Sequence, residues 1–133
     1  MSKWNRNALK ITALFSALTF LTTPVHADEQ SIYQTGIASY YSTSFDGHKT
    51  ASGEIFNSNK LTCAHRKLPD GTIIRVTNLS NGKDIIVRVN DNGPHIKGRI
   101  LDLSKRAAIK LGMIKSGTAK VSIEIIKKDL ENS

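Results

Sequence analysis

One cysteine, Cys63, is all the thiol chemistry this 133-residue chain contains. A single thiol excludes an internal disulfide, so the fold has to be held by its core rather than by covalent staples. No Pro/Gly/Ser-rich linker, internal repeat or low-complexity tract divides the sequence. His48, His65 and His95 show no ligand spacing that reads as a metal site, and no cofactor motif is present. The apolar stretch Ile11 to Leu21 is shorter than the roughly 20 residues a membrane-spanning helix needs.

That stretch belongs instead to a leader pattern. Lys3, Arg6 and Lys10 form a basic start, Ile11 to Leu21 an apolar middle, and Val25-His26-Ala27 a small-residue cleavage site. The expectation is an exported chain, periplasmic or secreted, cut near Ala27. No cysteine stands at the cleavage point to carry a lipid, so no stable membrane anchor is expected. Removing 27 residues leaves 133 − 27 = 106, enough for one domain and not two. It also removes three basic residues and no acidic one, lowering the formal charge from +8 to +5. The remaining excess serves solubility or attraction to an anionic polymer. For an exported chain that polymer is cell envelope rather than nucleic acid.

Asp28 to Thr35 is polar and reads as a flexible lead-in. Gly36 to Tyr41 reads as a strand, and Ser42 to Gly53 as a long polar loop of the kind that is usually functional or disordered. Leu61 to His65 fits either a short strand or a turn of helix. Leu68-Pro69-Asp70-Gly71 has the residues of a turn. Thr72 to Asn78 and Ile85 to Asn90 alternate with period two, and Asn81-Gly82 between them is a hairpin signal. Asn90-Asp91-Asn92-Gly93-Pro94 stops that strand and presents a carboxylate at its end. Arg99 to Leu103 forms another short apolar run. Ser104 is placed to cap a helix from Lys105 to Leu111, with Gly112 to end it. Val121, Ile123 and Ile125 mark a last strand. Many short strands and one helix predict a small, mainly β barrel over residues 36–126, with a polar tail at 127–133.

Read residue by residue, several positions carry two meanings. Asp91 suits an Asx turn as well as a catalyst. Glu54 suits a solvated loop as well as a groove. Cys63 and His65 lie two apart, which invites a cysteine-peptidase reading, but nothing else in the chain supports one and a lone cysteine packs well as a small hydrophobe. Tyr40, Tyr41 and Phe45 could pack in the core or stack on sugar rings. Arg99 and Asp102 either pair beneath the Asp91 turn or face opposite ways along a strand.

Taken together, the motifs narrow these choices. Gly36-x-Ala38-Ser39-x-Tyr41, Thr50-Ala51-Ser52-Gly53-Glu54-x-Phe56, Leu61-Thr62-x-Ala64-His65, Leu68-Pro69-x-Gly71-Thr72, Arg75-Val76-Thr77-Asn78-Leu79, Asn81-Gly82-Lys83, Arg88-Val89-Asn90-Asp91-x-Gly93-Pro94 and Lys97-Gly98-Arg99-Ile100-x-Asp102-Leu103-Ser104 succeed one another in order. The series resembles the rare lipoprotein A family of septal ring lytic transglycosylases, from about Gly36 to Ile126. The resemblance implies a six-stranded double-psi β-barrel with one or two short helices. It further implies cleavage of peptidoglycan strands between N-acetylmuramic acid and N-acetylglucosamine to leave a 1,6-anhydro end. Asp91, His65 and Glu54 match its acid/base and groove positions. Tyr41, Asn57, Asn90 and Arg99 are expected to line the substrate groove. No cofactor or metal is implied, and septal cell-wall machinery is an implied partner. Three departures stand out: Asn57 where the family commonly has Asp, Tyr40 where it has Trp, and no peptidoglycan-binding repeat domain.

A lytic transglycosylase needs one carboxyl group that protonates the leaving oxygen and then takes a proton from the muramic acid 6-hydroxyl. No water is activated, so the flanking pair of ordinary glycosidases is optional. Asp91 is expected to fill that role in a partly desolvated setting. The alternative is an expansin-like module that binds or loosens wall polysaccharide without cutting it. A protein-binding module is weaker still, since no distinct apolar patch is visible.

Overall fold

The structure is a computed structural model that describes residues 31–128. The expected leader and the ends of the lead-in and tail lie outside those residues. Six strands form the barrel: β1 (Gln34–Tyr40), β2 (Thr62–Ala64), β3 (Ile73–Asn78), β4 (Asp84–Asp91), β5 (Arg99–Leu103) and β6 (Ala119–Lys127). A 3-10 turn at Thr43–Phe45 comes after β1, and helix α1 (Lys105–Lys110) after β5. The barrel takes in part of the expected lead-in, because β1 begins at Gln34 and the Tyr33 amide donates to the Ile123 carbonyl at 2.7 Å.

Alternating apolar residues supply the inner faces. Ile74, Val76, Val87, Val89, Leu101, Leu103, Val121 and Ile123 are all at most 1% exposed. Truncating one of them, such as Ile74→Ala, costs about 2–5 kcal/mol through lost transfer energy and the cavity left behind. Thr62, Cys63 and Ala64 are buried on both faces of β2. That explains why periodicity does not tell this stretch from a turn of helix.

The strands close in the order β1-β5-β2-β4-β3-β6. β1 runs parallel to β5 and β2 parallel to β4, while the other neighbours are antiparallel. Exchanging β1, β2 and β3 for β4, β5 and β6 reproduces the same ring, so the two halves of the chain are arranged alike. The β3–β4 hairpin turns at Gly82 with φ +78°, a conformation that favours glycine. Ser104 caps α1 by accepting from the Ala107 amide at 3.3 Å, and Gly112 leaves the helix at φ +68°.

The long segment between β1 and β2 is ordered by its own side chains. The Asp46 carboxylate accepts from the Ser58 amide at 2.7 Å and its hydroxyl at 2.8 Å. Phe56, 2% exposed, packs against Tyr41 and Phe45 with ring centroids 4.5 Å and 5.3 Å away. This satellite aromatic cluster holds the loop against the barrel end where β4 finishes.

Candidate active site at the β4 end

A bulge sets the direction of Asp91. Val87 and Val89 point inward, and strict alternation would send residue 91 into the core as well. The β2–β4 register breaks there: Cys63 faces Val89, but Ala64 faces Asp91, leaving Asn90 as the extra residue. Such an insertion bends the strand and re-aims the side chains beyond it. Asn90 is buried and Asp91 emerges half-buried at the rim.

Three donors fix the Asp91 carboxylate. Oδ1 accepts from the Ala51 amide at 2.8 Å and from the Asn92 amide at 2.9 Å. Oδ2 accepts from the Tyr41 hydroxyl at 2.5 Å. Only the Asn92 bond belongs to the local turn; Ala51 and Tyr41 reach in from the β1–β2 segment. With two acceptor positions per oxygen, Oδ1 is filled and Oδ2 retains one. Burial, then the hydrogen bond to Asp91, pushes the Tyr41 phenol well above its ordinary range, so it remains a donor at physiological pH.

Glu54 sits beside this group, gripped by β4. Arg88 Nη1 donates to Oε2 at 2.9 Å and Nη2 to Oε1 at 2.8 Å, and Asn90 Nδ2 reaches Oε1 at 3.4 Å. The Arg88 hydrogen bonds, against a smaller desolvation cost, hold the Glu54 carboxyl below the usual carboxylate range. Glu54 is therefore ionised and paired, and its two-pronged contact with Arg88 pins the loop to the barrel.

His65 is 3% exposed and its ring is fully engaged. Nδ1 accepts from the Lys67 and Leu68 amides, both at 3.0 Å, which assigns the proton to Nε2, donating to Gln34 Oε1 at 2.8 Å. Burial first, then the charges of Arg66 and Lys67, lower its pKa, and the ring is neutral. Its link to Asp91 is the backbone bond from the His65 amide to the Asp91 carbonyl at 3.1 Å.

The remaining expected groove residues spread out. Asn57 is exposed on the loop, its Oδ1 accepting from the Asn59 amide at 2.8 Å. Arg99 opens β5, and its carbonyl accepts from Arg66 Nη2 at 3.4 Å. Asp102 instead accepts from the Ser39 hydroxyl, and no Arg99–Asp102 ion pair forms among the described residues. Tyr40 donates to the Ile114 carbonyl at 3.0 Å, while Tyr41 and Phe45 stack on each other at 5.1 Å. Cys63 is 1% exposed, and burial pushes its thiol far up, which leaves no thiolate nucleophile at neutral pH.

The sequence gives two further residues of the site no role. Arg88 looks like an ordinary outward residue of an alternating strand, and only the loop's approach makes it the partner of Glu54. Asp70 looks like part of a Pro-Asp-Gly turn. That turn is tied to β4 by the Gly71 amide donating to the Val89 carbonyl at 2.7 Å. Burial, then the charges of Asp91 and Glu54, raise the Asp70 carboxyl above its ordinary value. Asp70 thus lies within reach of the charges of Asp91 and Glu54, which a Pro-Asp-Gly string does not announce.

A closed six-stranded ring with two parallel pairs and like-arranged halves is a double-psi β-barrel. Residues 33–123 match the family described as lytic transglycolase, and the chain belongs to that family. It is 53% identical over 98 residues to the endolytic peptidoglycan transglycosylase RlpA of Campylobacter jejuni, covering 74% of this chain and 36% of that protein. A probable endolytic peptidoglycan transglycosylase RlpA of Treponema pallidum is 55% identical over 92 residues, covering 69% and 29%. The chain thus spans about a third of the length of the curated relatives it matches. Among solved structures, the Streptomyces papain inhibitor superposes with TM-score 0.58 at 22% identity, covering 74% of this chain and all of that one. Apo Clavibacter michiganensis expansin superposes with TM-score 0.56 at 24% identity, covering 71% and 50%. These likenesses concern the fold alone.

Proposed function

We propose that this domain is an endolytic peptidoglycan transglycosylase that cleaves the N-acetylmuramic acid to N-acetylglucosamine bond of glycan strands. The observation that carries the reading is Asp91 at the barrel rim, held from outside its own turn by Tyr41 and Ala51, with one acceptor position of Oδ2 unfilled. The activity for which the relatives are named supports the same assignment.

In this scheme Asp91 gives a proton to the bridging oxygen as the C1–O bond breaks, and the glucosamine side leaves with a hydroxyl. The 6-hydroxyl oxygen of the same muramic acid bonds to C1, and its proton returns to Asp91. Atoms and charge balance without water, and one carboxyl group serves both steps. Tyr41 orients Oδ2 through its hydroxyl. Glu54, with both oxygens on Arg88, fixes the groove wall rather than moving a proton. His65 supports the β2 end beneath Asp91, exposed Asn57 and half-buried Arg99 border the path of the strand, and buried Asn90 backs Glu54 from within instead of touching the glycan. The leader pattern of residues 1–27 supports export to where this substrate lies.

Digestion of purified peptidoglycan with identification of the sugar termini tests the proposal. The expected product ends in 1,6-anhydro-muramic acid, and Asp91→Asn is expected to remain folded and release none. Reducing ends would show hydrolysis instead. Co-sedimentation with sacculi and no soluble fragment would show an expansin-like wall-binding module.

A further inference from the structure

Four cations stand on two segments that are hydrogen-bonded to each other and to the Asp91 end of β4. Arg66 and Lys67 come just after β2, while Lys97 and Arg99 close the β4–β5 connection. Two hydrogen bonds hold the segments together: Arg66 Nη2 donates to the Arg99 carbonyl and Asn92 Nδ2 to the Arg66 carbonyl, both at 3.4 Å. Asn92 is the chain neighbour of Asp91, and the His65 amide binds the Asp91 carbonyl, so cluster and acid share one rim.

None of these cations enters a salt bridge among the described residues, where the ion pairs use Arg75 and Arg88. Neither 65–69 nor 92–101 contains an acidic residue. Arg66, Lys67 and Lys97 are exposed and Arg99 is half-buried. Asp70, Asp91 and Asp102 flank these segments, but none of them forms a salt bridge with the four cations, and the excess positive charge concentrates anions at that spot.

We propose that this basic edge is a carboxylate-binding subsite for the strand on which Asp91 acts, an inference that rests on the glycan reading above. Muramic acid carries a lactyl ether that ends in a carboxylate when free and in a neutral amide when a peptide is attached. A stem peptide brings carboxylates of its own, farther from the ring. Both sources offer the planar oxygen pair that guanidinium groups bind.

Equilibrium binding separates them, measured with Asp91→Asn protein so that no probe is consumed. The probes are an N-acetylglucosamine–N-acetylmuramic acid tetrasaccharide with free lactyl carboxyls, the same sugar with those carboxyls as methylamides, and the peptide-bearing form. An exposed charge contact is worth up to about five-fold in affinity. The free-acid sugar is therefore expected to bind up to about five-fold tighter than the methylamide, and Arg66→Gln/Lys97→Gln to reduce that ratio below about two-fold. High salt has the same effect through screening. Tighter binding of the peptide-bearing form alone, lost in the double variant, sustains the subsite and assigns the carboxylates to the peptide. Equal binding of all three probes, a ratio unchanged by the double variant, or no binding at all overturns it. Carboxylate-dependent binding with no anhydro ends from the unmutated protein leaves the subsite standing and removes the lyase reading.

Discussion

Replacing Arg88 by Gln isolates the contact that fixes the β1–β2 loop. Glu54 would lose two charge-assisted hydrogen bonds of 2.8 and 2.9 Å and keep only the long one from Asn90. Hydrogen bonds to charged groups are worth about 1.5–3 kcal/mol each when buried. Here the side chains are 38% exposed for Arg88 and 28% for Glu54, so water replaces much of what is lost. Discounted for that screening, the pair contributes about 1–2 kcal/mol. For a domain of this size each kcal/mol moves Tm by about 4–8 °C. Because Glu54 is held below its ordinary value, its contribution is fully present above about pH 4.3, its unfolded value. It drains away as pH falls through the lower folded value. Urea unfolding of both proteins at pH 7 and at pH 3 should therefore show a gap that narrows with acid. A gap of the same size at both pH values would refute the assignment of this stability to the Glu54–Arg88 pair.

Tyr41→Phe should lower turnover about 10- to 100-fold by removing the Oδ2 partner of Asp91, with the folded state retained by circular dichroism. Asp70→Asn should raise stability at pH 7 by at most about 1 kcal/mol. Asp70's raised value means that the ionised form costs stability above the unfolded value. Denaturant midpoints should accordingly converge below about pH 3.9. Cys63→Ser should leave activity intact but cost about 1–3 kcal/mol by placing a hydroxyl in an apolar site, read from thermal unfolding. His65→Ala should cost about 2–4 kcal/mol by freeing the Lys67 and Leu68 amides and Gln34, and glycan binding assayed well below the lowered Tm should persist.

Local chemistry makes most of the barrel legible. β3 and β4 announce themselves by alternation, their hairpin by Asn81-Gly82, and α1 by Ser104 ahead of it and Gly112 behind. β2 is ambiguous because all three of its residues are buried, which leaves it no solvent face and no alternation. Asp91 is legible as a residue but its direction is not, since that depends on a bulge defined by another strand. The same limit hides the Glu54–Arg88 grip and the place of Asp70. Each comes from a loop meeting β4 across the fold, and nothing in adjacent residues specifies which side chains will meet.

The ring order also dictates when the molecule can assemble. β1 finds no mate until β5 and β6 exist, some sixty or more positions downstream: Ser39 lies opposite Asp102, and Gln34 opposite Ile123. Such distant pairings make formation slow, because chain entropy is spent before contacts return it. β1 must therefore stay unpaired until β5 at least has been made. Removing β6 would strip partners from β1 and β3 at once, so the loss of one strand opens the ring on both of its sides.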